Sequence, residues 1–175
     1  MNDKNDPPEG DDCEREEKIE DIMRARDRLD KILQEKFVKR MTIVFTDVCG
    51  YTKYMDTRGD IAGRAWMQKH NDIVLPLIEK NNGKVLTLMG DGVMSSFEKT
   101  EEAVKACIDI QKGLAEYNQL AEHAEALHVT IGINTGEILV DSDHIAGDVV
   151  NTASHIETSG YAGERNKQVT GLRAI

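Results

Sequence analysis

The chain has 175 residues, which suits a single domain, and its 39% apolar and 31% charged residues are ordinary for a soluble globular protein. Aromatic residues make up only 5%, so Leu, Ile, Val and Met must fill most of any core. The net charge of −10 sits mainly in residues 1–20, where nine acids outweigh three bases, and no continuous basic stripe exists; a phosphate backbone is therefore excluded as a partner, and an anionic ligand would need a metal or a local positive site.

Three cysteines, Cys13, Cys49 and Cys107, are odd in number and far apart. They form no disulfide framework, which points to a reducing compartment. The opening MNDKNDPPEGDD lacks the apolar stretch of a signal peptide, and no apolar run approaches 18 residues. A cytoplasmic chain with no transmembrane segment is expected.

Residues 1–15 read as a disordered acidic tail, with Pro7, Pro8 and Gly10 among polar neighbours. Residues 16–40 read as a helix, because Ile19, Ile22, Met23, Leu29, Ile32, Leu33 and Phe37 recur on one stripe. It is either a dimer and transducer helix or one that packs on its own domain. Residues 41–175 form the remaining domain. MTIVFT, from Met41 to Thr46, is a short β-branched strand, and Asp60 to Lys80 is a helix ended by Asn82-Gly83. Lys84–Met89 and Val93–Phe97 are strands joined by Gly90-Asp91-Gly92, a tight hairpin. Thr100 is the expected N-cap of a helix running to about His123. His128–Ile133 and Glu137–Val140 read as two strands separated by Asn134-Thr135-Gly136, Asp148–Glu157 as a helix, and Gln168–Thr170 as a last strand. This order favours an α+β fold: an antiparallel or mixed sheet with helices on one face.

Asp47 follows the first strand and Asp91 stands at the hairpin tip. If those strands are neighbours, both carboxylates emerge at one sheet edge, where they can bridge two magnesium ions. Val48 to Thr52 follow directly, with Gly50 allowing backbone N–H groups to approach a phosphate. Spacing alone leaves open that both acids are ordinary turn residues. His70, His123 and His128 show no metal-ligand spacing, and Trp66 and Met67 read as packing residues.

Four segments in order, FTDVCGYTKYMD, GKVLTLMGDGVMSSF, VTIGINTGEI and AGDVVNTASHIE, resemble the class III adenylyl and guanylyl cyclase catalytic domain. The resemblance runs from about Met41 to about Thr170. It implies a ferredoxin-like, palm-type sheet and head-to-tail dimers with sites at the interface. It implies that Asp47, Asp91 and the main-chain carbonyl of Val48 hold two Mg²⁺ or Mn²⁺ ions per site. Cys49, Gly50, Tyr51 and Thr52 match the triphosphate-binding turn, and Asn151 matches the ribose-orienting asparagine. The implied reaction is attack of a ribose 3′-hydroxyl on the α-phosphate of ATP or GTP, with release of pyrophosphate.

The chain departs from that pattern at three places. Thr87 stands where the family reads adenine with lysine, and His144 stands at the partner position, so base choice is open with ATP favoured. His155 stands where the family carries a transition-state arginine. A histidine offers fewer donors and no permanent charge, and losing such a donor typically costs about 2.7–4 kcal/mol. The family's second cation lies in a strand beyond Ile175. A slow homodimer, the metal-binding half of a heterodimer, and a nucleotide-binding regulatory domain without turnover all follow from these departures.

Overall fold

The computed structural model describes residues 18–141, 144–162 and 172–174. The chain divides into two compact units, 1–36 and 37–175. Almost all of the first described element, α1 (Ile19–Phe37), belongs to the first unit. Glu20 and Asp21 in its first turn and Lys36 in its last complement the helix dipole. Asp21–Arg24 and Arg26–Asp30 pair across one turn. Its apolar residues Ile19, Ile22, Met23, Leu29, Ile32 and Leu33 are all exposed. The helix ends three residues earlier than its periodicity predicts, because Val38, Lys39 and Arg40 pair with Leu139, Ile138 and Glu137 as sheet.

The second unit is built on one sheet. Its elements are β1 (Val38–Val48), α2 (Tyr51–Arg58), α3 (Asp60–Lys80), β2 (Lys84–Leu88), β3 (Gly92–Phe97), α4 (Thr100–Leu120), β4 (Val129–Asp141), β5 (His144–Ala146), α5 (Asp148–Ala162) and β6 (Leu172–Ala174). Strands lie in the order β2-β3-β1-β4-β5, every neighbouring pair antiparallel, and β6 pairs parallel with β4. The first four strands with α3 and α4 form the ferredoxin-like β-α-β-β-α-β arrangement that the resemblance implies. The strand expected at Gln168–Thr170 lies outside the described residues.

Alternation along β1 decides what covers each face. Val44 and Val48 join Trp66, Met67, Val74 and Ile78 of α3 and Ala106, Cys107, Ile110 and Leu114 of α4 in the larger core. Ile43 and Phe45 point the other way and meet Ile138 of β4 with Val149 and Ala153 of α5. Helices therefore pack on both faces of the sheet, not on one. Each large apolar side chain so buried contributes roughly 1.5–3 kcal/mol. α5 lies so close to β4 that a side-chain carbon at Gly132 would fall 2.2 Å from the Ala153 carbonyl oxygen.

Two expectations from turn chemistry fail. β4 runs unbroken through Asn134-Thr135-Gly136, since the long β1 pairs with it from Val38↔Leu139 to Val48↔Val129. Asn134 serves the strand instead: its side chain accepts from the Thr135 N–H and donates to the Val149 carbonyl. Thr100 does not cap α4; Lys99 holds that position without a side-chain bond. The Thr100 hydroxyl instead lies 3.0 Å from that of Thr42 and 3.2 Å from that of Thr135. β4 also pairs antiparallel with the short β5, with His144 opposite Asp141.

Candidate active site

β1 carries Asp47 one residue before its end, and the β2–β3 turn carries Asp91. Register brings them together. Asp47 sits opposite Gly92, and the Val48 N–H donates to the Asp91 carbonyl at 2.8 Å. Gly92 makes this possible, because a side-chain carbon there would lie 1.9 Å from the Thr46 carbonyl oxygen. The two carboxyl groups lie within hydrogen-bonding reach of each other. Burial, then the facing Asp91 charge, then Glu157 push Asp47 up to about 7.

Immediately after β1 the chain turns through Gly50, whose φ of 81° is left-handed and disfavours any side chain. α2 begins at the next residue, and its first intrahelical bond runs from the Tyr54 N–H to the Gly50 carbonyl at 3.0 Å. The N–H groups before Tyr54 thus have no helical partner, and the positive end of the helix lies beside the acids. Tyr54 stacks on Trp66 with ring centroids 4.3 Å apart. Glu125 fastens this pair: it accepts from the Tyr54 hydroxyl and the Lys69 ammonium through its carboxylate, and from the Trp66 indole through its carbonyl. The turn at Gly50 and the helix after it are therefore held on α3 and on the segment before β4.

Asp47, Val48, Gly50, Tyr51, Thr52 and Asp91 line one cleft of about 400 Å³ with Lys53 and Asp56. Cys49 does not line it. Its thiol is pushed up to about 11, by burial first and then by Asp47 and Glu157, so a reactive thiolate is disfavoured. Two close carboxylates repel unless a proton or a cation lies between them, and carboxylate oxygens are the ligands that Mg²⁺ and Mn²⁺ prefer. The donor set therefore fits a divalent cation. Among the described residues no group of three or more acids, histidines or cysteines converges on such a site. The protein would supply two acidic ligands and leave other positions to backbone, water or substrate oxygens.

The remaining expected residues stand elsewhere. Thr87 is exposed on β2, at the bulge where register shifts after Val85. His144 opens β5. Asn151 and His155 are exposed one turn apart on α5, and neither lines the cleft. One chain thus gathers Asp47, Asp91 and the Gly50 turn in the cleft and carries Asn151 and His155 outside it, on α5. His70 is fully buried, with its Nδ1 beside the Asn71 side chain and its Nε2 unpartnered.

The sequence reading missed three residues. Lys53 directly follows Thr52 and Asp56 stands one helical turn after it, so a helix starting just after Gly50 was the signal for them. Glu157 falls on the stripe of Val149, Ala153 and Ile156 that α5 buries; a carboxylate on such a stripe is itself the signal.

The model of the adenylate and guanylate cyclase catalytic domain family matches residues 33–169. The chain belongs to that family. Among curated relatives, this cyclase-family chain is 28% identical to an adenylate cyclase of Anabaena cylindrica over 136 residues, 68% of this chain and 27% of that one. The chain spans between 15% and 27% of the length of the curated relatives it matches. Of solved structures, it is similar to an adenylate/guanylate cyclase/hydrolase from Silicibacter pomeroyi, with 25% identity and a TM-score of 0.61 over 70% of this chain and 71% of that one. A bacterial light-regulated adenylyl cyclase shares the fold at 22% identity, with a TM-score of 0.64 and 71% of both chains covered. No helix among the described residues is long and apolar enough to cross a membrane.

Proposed function

We propose that this domain converts a nucleoside triphosphate, ATP in preference to GTP, to a 3′,5′-cyclic nucleotide and pyrophosphate in signalling. The observation that carries this reading is the pairing of Asp47 with Asp91 beside the Gly50 turn in one cleft. Asp47, Asp91 and the Val48 carbonyl would hold Mg²⁺ or Mn²⁺, which when bound supplies charge neutralisation and activates the attacking hydroxyl. The free N–H groups at the start of α2 bind the β- and γ-phosphates, and the Lys53 ammonium adds the one positive side chain that lines the cleft among the described residues. The 3′-oxygen gives up its proton and bonds to the α-phosphorus as the bond to the bridging oxygen breaks and pyrophosphate leaves.

Asn151 and His155 are exposed on α5, away from the cleft, so a second chain must present them to complete a site. That supports a two-fold dimer, either of two identical chains or with another cyclase domain that brings an arginine and a lysine. The departures at Thr87 and His155 favour slow turnover and motivate a second reading, a nucleotide-binding regulatory domain. The deciding experiment incubates the purified chain with ATP or GTP and Mg²⁺ or Mn²⁺ and measures cyclic product and nucleotide binding. Slow, Mn²⁺-favoured product formation, lost in Asp91→Asn, is expected. Metal-dependent binding without product would leave only the regulatory reading, and no binding would defeat both.

A further inference from the structure

The acidic pair has a neighbour from a different element. β1 and β4 run antiparallel with Asp47 opposite Thr130, so both side chains project from the same face of the sheet. Two residues on, Gly132 faces α5, with the Glu157 backbone and side chain within 3 Å of where a side-chain carbon would stand. Thr130 therefore also faces α5, and its hydroxyl donates to the Glu157 carboxylate. The second Glu157 oxygen lies 3.3 Å from the Thr158 hydroxyl. No Lys, Arg or His among the described residues forms an ion pair with Glu157. It is a half-buried carboxylate on the packed stripe of α5, an expensive place for an uncompensated charge.

We propose that Glu157 is a positioning residue of the cation centre: a third carboxylate, fixed by Thr130 beside the strand end that bears Asp47, which strengthens the pull of the Asp47–Asp91 pair on a divalent cation without ligating it. This rests on the metal-centre reading above. Glu157 does not line the cleft, so its action is through the field rather than by a bond. Its charge acts on both Asp47, in β1, and Cys49, just past the end of that strand, which supports the same placement. A divalent ion feels that charge doubly, and a half-buried site screens it less than open solvent does. Because α5 also carries Asn151 and His155, the helix that offers residues to a second chain is the one that senses the cation in its own.

The test is Mn²⁺ binding to the full chain at pH 8, followed by loss of the free-ion spin-resonance signal, at low and at raised salt. Glu157→Gln keeps the volume and an oxygen that accepts from Thr130 but removes the charge. It should raise the Mn²⁺ Kd roughly three- to tenfold at low salt, and by less at high salt. Glu157→Asp, which restores the charge, should recover most of that loss. Thr130→Val, which keeps the charge but frees the carboxylate, should weaken binding by about twofold, less than removal of the charge does. A merely structural role for Glu157 would lower thermal stability in chelator and leave the salt dependence of Kd unchanged. Unchanged Mn²⁺ affinity in folded Glu157→Gln, or in Thr130→Val should Glu157→Gln not fold, overturns the inference while the acidic pair keeps its reading. Failure of the unaltered chain to bind Mn²⁺ would overturn both.

Discussion

Replacing Asp47 by Asn should stabilise the metal-free protein, against the usual expectation for a site residue. In the fold Asp47 is pushed from 3.8 to about 7 by burial, by Asp91 and by Glu157. The folded state therefore holds a proton on Asp47 that the unfolded chain has already released between those two values. Where the folded state binds more protons, stability falls as pH rises. The penalty is absent below about pH 4, grows through the acidic range, and is complete above about pH 7. A shift from 3.8 to about 7 would correspond to roughly 4 kcal/mol for a fully shielded group. Asp47 opens onto a solvent cleft, so screening reduces this to about 2 kcal/mol.

Asn keeps the shape and a hydrogen-bonding oxygen but carries no charge. At pH 8 in chelator, Asp47→Asn should melt roughly 4–8 °C above the unaltered chain, and the gap should narrow to less than half as pH falls to 5. Mn²⁺ should reverse the order, raising the melting temperature of the unaltered chain and leaving the variant where it was. The measurement is a set of thermal melts from pH 5 to 8.5, with chelator and with Mn²⁺. A variant less stable than the parent at pH 8 in chelator, or a gap that does not change with pH, would refute the account of how the two acids are placed.

Two further predictions follow from packing. Gly92→Ala should cost about 1–3 kcal/mol in denaturant melts and should abolish Mn²⁺ binding, because its methyl group collides with the Thr46 carbonyl and pushes β3 from β1 where the acids meet; retained Mn²⁺ affinity would show that this close approach is not required. His70 is buried with one ring nitrogen unpartnered, and burial holds it below the ordinary 6.5. The unfolded chain then binds the proton that the fold resists, so stability should fall as pH drops below about 6.5, and His70→Gln should flatten that acid limb of the melting profile while leaving pH 8 nearly unchanged.

What was legible in the sequence was what local chemistry decides. Asp47 after a β-branched strand, Asp91 between two glycines and Gly50 at a helix start each carry their own signal, and the structure gathers them at one cleft. What was not legible depends on partners distant in sequence. Asn134-Thr135-Gly136 has the composition of a turn, yet β1 supplies an unbroken row of pairing groups and Thr42 a hydroxyl for Thr135, so the strand continues. Thr100 has the composition of a cap, yet the same hydroxyl cluster claims it. The face taken by α5 was hidden for a like reason, because period-two burial along β1 says that both faces are covered but not by which helix. Glu157 became visible only once α5 lay against Gly132 and Thr130. The candidate residues that carry their own local signal were therefore readable one by one, whereas Glu157, proposed to act only through a neighbour, required the register of β1 against β4.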